Sequence, residues 1–165
     1  MISERRSWQP VVAAAFAALG VAGLGALTTT LGPWYYRLNK PVWQPPDWLF
    51  GPAWTLIFSL AALAGILYWK PVTRREDRQL VIAAFALNGF LNTLWSLLFF
   101  RLERPDWALY EVGFLWLSIV LLIALVGRVT RTGGWLLAPY VLWVSFAAFL
   151  NWKIVQMNSP FPTGG

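Results

Sequence analysis

At 165 residues the chain sets one domain as the default, and 58% of it is hydrophobic against 12% charged, about half the charged share of a soluble domain. Cysteine and histidine are both absent, which excludes a disulfide framework, a Cys/His zinc site, a thiol nucleophile, a histidine base and the usual haem ligands. The net charge of +6 suits basic loops and headgroup contacts of a membrane protein, so no nucleic-acid partner is expected.

The apolar runs predict five membrane-spanning helices, at about 9–30, 47–69, 79–100, 106–126 and 135–156. The run behind MISERRSWQP is too long for a signal h-region and reads as a retained first span. It carries an alanine stripe at fourfold spacing, Ala14, Ala18, Ala22 and Ala26, with Gly20, Gly23 and Gly25 on adjoining faces. Small residues in this pattern make either a tight seam with a neighbouring helix or the wall of a cavity.

The next stretch, WYYRLNKPVWQPPDWLFGPAW at 34–54, is the only long connection between spans. Its prolines at 41, 45 and 46 restrict the backbone and suit a loop that keeps its shape as a lid. Counted from Ala53, the second span has only 17 residues, roughly 25 Å at ~1.5 Å per residue and short of a ~30 Å hydrocarbon core. A start near Asp47 supplies the length, with Asp47 as N-cap and Pro52 kinking the first turns.

The later spans are joined by the short charged turns KPVTRREDRQ, RLERPD and GRVTRTGG, which make them antiparallel neighbours. In the third span, Ala84, Asn88, Asn92 and Ser96 form an inward-facing stripe, because amides facing lipid are costly. That stripe serves interhelical hydrogen bonding, or Asn92 additionally holds a polar group of a ligand. In the fifth span Tyr140, Trp143, Ala147, Leu150 and Asn151 share one face. Trp143 lies too deep for an interfacial belt, and Trp95 and Trp116 are also off the span ends. Trp8, Trp48, Trp69, Trp107, Trp135 and Trp152 fall near span ends, where indoles favour the membrane interface. Glu111 and Lys153 are expected to snorkel from near the ends of their spans.

Lysines and arginines on the N-terminal side (Arg5, Arg6, Lys70, Arg74, Arg75, Arg78, Arg128, Arg131) outnumber those opposite (Arg37, Lys40, Arg101, Arg104, Lys153), 8 to 5. This asymmetry predicts a cytoplasmic N-terminus.

Three motifs, WYYRLNKPVWQPPDWLFGPAW at 34–54, LNTLWSLLFF at 91–100 and PYVLWVSFAAFLN at 139–151, resemble the TspO/MBR family of translocator proteins and bacterial tryptophan-rich sensory proteins. The similarity extends over about 13–156. It implies an all-α, integral-membrane bundle of five transmembrane helices with a long lid loop between helices 1 and 2, forming one domain over 1–165 and a homodimer in a bacterial cell membrane. It also implies a pocket for protoporphyrin IX or another tetrapyrrole, for sterols and for aromatic drugs of the isoquinoline carboxamide type, and in some bacterial members light-driven protoporphyrin breakdown. Trp54 and Trp143 match the two tryptophans associated with that photochemistry. Trp34, Leu38, Asn92, Trp95, Trp107, Ala147 and Leu150 match pocket positions, and Phe114 falls at an apolar lining position. Tyr140 joins them through the face it shares with Trp143. Trp152 stands where the vertebrate sterol motif has tyrosine, and no basic residue follows Lys153, so sterol is not expected as native ligand.

Physically, indoles stack on a macrocycle, while Arg37 and Lys40 in the lid are expected to contact its propionates. Tyr140 and Met157 are poor iron ligands, which favours a metal-free porphyrin or a bilin and predicts no metal site and no required cofactor. No nucleophile–base pair or carboxylate dyad is present. Catalysis, if any, is then photochemical, by electron exchange between an excited porphyrin and Trp54 or Trp143. The alternatives are a transporter of porphyrins, sterols or lipids, and a ligand-gated sensory scaffold.

Overall fold

The computed structural model describes residues 20, 23, 29 and 31–161. The predicted first span and its alanine stripe otherwise lie outside the described residues. The architecture is an all-α membrane bundle. A short helix α1 (Pro33–Arg37) leads through an irregular stretch to a 3-10 turn (Asp47–Leu49), which runs into α2 (Phe50–Trp69). Helix α3 (Arg75–Ser96) continues as a π turn (Leu97–Arg101). Then follow α4 (Pro105–Val129), α5 (Arg131–Leu136) and α6 (Ala138–Asn158).

Four helical stretches among the described residues are long and apolar enough to cross a membrane: Asp47–Trp69, Arg75–Arg101, Pro105–Val129 and Arg131–Asn158. The shortest has 23 residues, roughly 35 Å of helix at ~1.5 Å per residue. The second span therefore starts where length demanded, but Asp47 is not its N-cap. Pro46 holds that position, and no side chain caps the turn. The Asp47 carboxylate is already engaged by Tyr35 and Gln44. Pro52 is the third residue of α2, where a missing N–H breaks no intrahelical bond.

The charged turns are more helical than expected. Arg75–Arg78 form the first turn of α3, with Glu76 and Asp77 where free N–H groups favour acids. Gly133 and Gly134 lie inside α5 rather than in a loop, and Thr130 Oγ1 accepts a bond from Gly133 N at 3.3 Å. Both glycines are forced by close approach. A Cβ on Gly133 would fall 2.7 Å from Val126 Cγ1, and one on Gly134 3.0 Å from Gly127 Cα. Small residues continue this contact into α2 and α3, where Ala61, Ala64 and Ala84 pack with Tyr68, Leu122, Val126 and Leu137.

At mid-bundle a polar seam ties three helices. Asn88 Nδ2 donates to Ser118 Oγ at 2.8 Å, and Tyr140 OH donates to Asn88 Oδ1 at 3.0 Å. Asn92 Nδ2 donates to Tyr140 OH at 3.3 Å, and Ser118 Oγ returns its proton to Leu115 O at 2.7 Å. The asparagine stripe is thus an interhelical lock between α3, α4 and α6.

Glu111 departs from expectation. It does not snorkel: its side chain is 7% exposed, and neither carboxylate oxygen has a hydrogen-bond partner among the described residues. The inward face of α4 is Ala108, Glu111, Leu115, Ser118 and Leu122, and the three- and four-residue steps place Glu111 on it. Lys153 instead lies along the surface, with Nζ 4.4 Å from the Trp152 ring centroid and donating to Gln156 Oε1 at 3.1 Å.

Candidate ligand cavity

The half of the bundle beside α1 is hollow. A cavity of about 470 Å³ lies between α2, α3 and its π turn, α6 and the 31–49 segment, within the ~300–1,000 Å³ range of small-molecule sites. Its walls are mainly aromatic. Phe50, Trp54 and Phe58 come from α2, Trp95 from α3, Phe99 and Phe100 from the π turn, and Trp143 from α6.

These rings hold one another in place. Trp54 stacks on Phe58 at 5.3 Å and meets Trp143 edge-to-face at 6.5 Å between centroids. Trp95 stacks on Phe99 at 5.1 Å. Phe99 and Phe100 line the cavity from the widened helical turn at Leu97–Arg101, a departure from α geometry that often accompanies functional sites. Asn92 and Ser96 supply the polar part of the α3 wall, while Ala147, Leu150, Asn151 and Ile154 complete that of α6. With its amide oriented to satisfy both groups, Asn151 donates to Pro105 O at 3.0 Å and accepts from Leu109 N at 3.1 Å, joining α6 to the first turns of α4.

The 31–49 segment, with Thr29 before it, forms the facing wall through Leu31, Tyr35, Gln44 and Asp47. Tyr35 OH donates to Asp47 Oδ1 at 2.7 Å, and Gln44 Nε2 donates to Tyr35 OH at 3.1 Å. Burial, reinforced by the hydrogen bond to Asp47, holds the Tyr35 proton well above the usual phenol range. Two contacts fasten the segment to α6. Asn39 and Asn158 exchange backbone-to-amide bonds, both at 2.8 Å, and Trp43 stacks on Phe149 at 5.3 Å.

Six of the residues singled out from sequence meet around this space: Trp54, Asn92, Trp95, Trp143, Ala147 and Leu150. Trp34 and Leu38 pack behind the wall with Phe99, and Tyr140 lies fully buried beneath it, bonded to Asn92. Trp107 and Phe114 are not brought to it. They are 49% and 64% exposed, off the inward face of α4, and Trp107 packs on the Arg104 guanidinium at 4.1 Å. Arg37 is exposed, and Lys40 Nζ sits 3.7 Å from the Tyr35 ring centroid; neither lines the cavity.

Sequence reasoning missed Tyr35, Gln44, Phe50, Phe58, Phe99 and Phe100 as lining residues. Phe50 and Phe58 carried a signal as the i±4 neighbours of Trp54, and Phe99 and Phe100 as the i+7 and i+8 neighbours of Asn92. So did Ser96 and Asn151, through the faces they share with Asn92 and Trp143; Tyr35 and Gln44 carried none. Among the described residues no group of His, Cys, Asp or Glu is arranged to hold a metal ion.

A model of the TspO/MBR family matches residues 11–157. The chain is 40% identical over 146 residues to the tryptophan-rich protein TspO of Chlorobaculum tepidum, covering 86% of this chain and 89% of that protein. It is 34% identical over 143 residues to the tryptophan-rich sensory protein of Cereibacter sphaeroides, covering 84% and 88%. With the translocator protein of Ovis aries it shares 32% identity over 127 residues, covering 76% and 75%.

Proposed function

The chain belongs to the TspO/MBR family, and from that premise we propose that it is a membrane receptor for a flat, largely apolar tetrapyrrole, protoporphyrin IX or a close relative, that also accepts aromatic drug-like molecules. The observation that carries this reading is the aromatic enclosure. Trp54, Trp95 and Trp143 present ring faces and edges around a cavity of about 470 Å³, and indoles bind flat rings through stacking and apolar contact. Propionates extending past the 31–49 segment would meet Arg37 and Lys40. In this reading no cofactor is required, and the protein works as a homodimer in a bacterial cell membrane with a cytoplasmic N-terminus.

Light adds a second activity on the same site. Trp54 and Trp143 stand edge-to-face, so a bound, excited porphyrin would have two indoles as electron partners, and oxygen would complete its breakdown.

The test is titration of protoporphyrin IX into purified protein, in the dark and then under illumination. Quenching of tryptophan fluorescence at micromolar ligand is expected. In Trp143→Phe the affinity should fall roughly threefold to tenfold, the size of one aromatic contact. If Trp54→Phe and Trp143→Phe both leave the light-driven spectral change intact, the tryptophan route is wrong. If no quenching occurs at any concentration, the tetrapyrrole reading is wrong.

A further inference from the structure

The charge of the cavity wall runs opposite to what a dicarboxylic ligand would want. Asp47 is the one carboxylate among its described lining residues, and no lysine or arginine is among them. The stretch from Ser7 to Trp34 contains no Asp, Glu, Lys or Arg, so the predicted first span brings no charge. The 31–49 segment keeps its cations off the lining: Arg37 is exposed, and Lys40 rests on the outer side of the wall against the Tyr35 ring, near enough to interact with the Asp47 charge but not among the lining residues.

Asp47 is also held in place. Tyr35 OH and Gln44 Nε2 both donate to its Oδ1, while Oδ2 accepts no hydrogen bond from a described residue. It sits in the first turn of the second span, where the helix N-terminus favours negative charge. Two neutral polar atoms of the wall are left over. Among the described residues, Gln44 Oε1 is a buried acceptor without a donor, and Trp143 Nε1–H is a buried donor without an acceptor. Buried polar groups are ordinarily paired, so such orphans in a cavity wall point to groups of a guest.

We propose that this cavity selects its ligands by charge, with Asp47 and Gln44 admitting an N–H-bearing, neutral or cationic aromatic edge and turning ligand carboxylates away. The inference rests on the cavity being the ligand site. It deepens that reading: a tetrapyrrole diacid can bind only with its propionates outside the segment, whereas a neutral edge can enter fully. A guest carboxylate beside Asp47 would face a like charge in a partly desolvated site. A guest N–H would instead satisfy Gln44 Oε1 and Asp47 Oδ2, and a guest carbonyl would satisfy Trp143. If Asp47 serves only the helix start and Tyr35, its removal should weaken all ligands alike.

The experiment uses the full chain in nanodiscs of uncharged phosphatidylcholine and two matched pairs of probes. One is protoporphyrin IX with its dimethyl ester; the other is 1-phenylisoquinoline-3-carboxamide with the corresponding carboxylate. Neutral members should bind about tenfold tighter than their acids, the scale of one like-charge contact. Because neutral probes also partition into lipid, the deciding quantity is the change of this gap between variants. Asp47→Asn, which keeps the acceptor for Tyr35, should shrink the gap to less than about threefold; Asp47→Glu should retain it, and Gln44→Glu should widen it. A gap that is the same in wild type, Asp47→Asn and Gln44→Glu overturns the proposal. If neither porphyrin binds while the carboxamide gap collapses in Asp47→Asn, the tetrapyrrole reading falls and charge selection stands.

Discussion

The two ends of this bundle solve opposite problems. At the end holding α5, glycines and alanines let backbones approach until a single added Cβ would collide with a neighbour. At the end holding α1, large rings keep the helices apart and leave a cavity whose wall includes polar atoms with no partner among the described residues. In lipid, helices gain little from mutual hydrophobicity, so association depends on packing and on interhelical hydrogen bonds. Small side chains therefore anchor one end, the Asn88–Tyr140–Asn92 seam locks the middle, and the other end is left free to be hollow. The difference teaches that close packing and open space reside in separate layers of one bundle.

The comparison can be broken most directly at the anchored end. Gly133→Val introduces atoms where Val126 and Thr130 already stand, and should cost about 3 kcal/mol, the upper range for overpacking. Unfolding of detergent-solubilised protein would measure it, and an unchanged midpoint would show that α5 can move away. Next comes the lock. Tyr140→Phe strips Asn88 Oδ1 and Asn92 Nδ2 of a shared partner and should cost about 2 kcal/mol.

Glu111 sharpens the comparison from the other side, as a buried group outside the described cavity wall with no partner among the described residues. Glu111→Leu should raise stability by about 1 kcal/mol, because an apolar residue has no polar group to leave unsatisfied. A lower unfolding midpoint would mean that the carboxyl has a partner beyond the described residues.

The smallest effect is expected at the fastened 31–49 segment. Tyr35 holds its proton more tightly in the folded protein than a free phenol does. Its contribution to closure is therefore complete below about pH 10 and declines as the pH rises further, when the open form loses the proton first. Trp43 fluorescence should report loosening above that pH against a Tyr35→Phe control, although eleven other tryptophans dilute the signal. A wild type that loosens no more than Tyr35→Phe would show that the phenol is not part of the fastening.

Much of the site was legible in the sequence for particular reasons. Asn92 and Ser96 share a stripe that lipid would penalise, and Trp143 lies too deep for the interface, so polarity and depth pointed inward. Phe99 and Phe100 carried the same signal, seven and eight residues beyond Asn92, whereas none existed for Trp107 or Phe114. In a soluble helix an apolar residue marks the core face, but in a membrane helix lipid and core are equally apolar, so hydrophobicity alone does not say which way a ring points. Phe99 and Phe100 continue the Asn92–Ser96 face of α3 through the π turn and so line the cavity. Trp107 and Phe114 turn outward because Ala108, Glu111 and Leu115 hold the inner face of α4.

The sequence by itself determined a membrane bundle with short antiparallel connections, since length, apolarity and the scarcity of charge admit little else. It also determined that the asparagine stripe and Trp143 would face inward, whereas Trp116, equally far from a span end, is 37% exposed. Tertiary structure alone decided that Trp107 and Phe114 stay off the cavity, that Asp47 faces it while Arg37 and Lys40 do not, and that Glu111 is buried with no partner among the described residues. Those outcomes depend on helix rotation and on where the 31–49 segment is fastened, which are set by contacts between distant residues such as Asn39 with Asn158 and Tyr140 with Asn88.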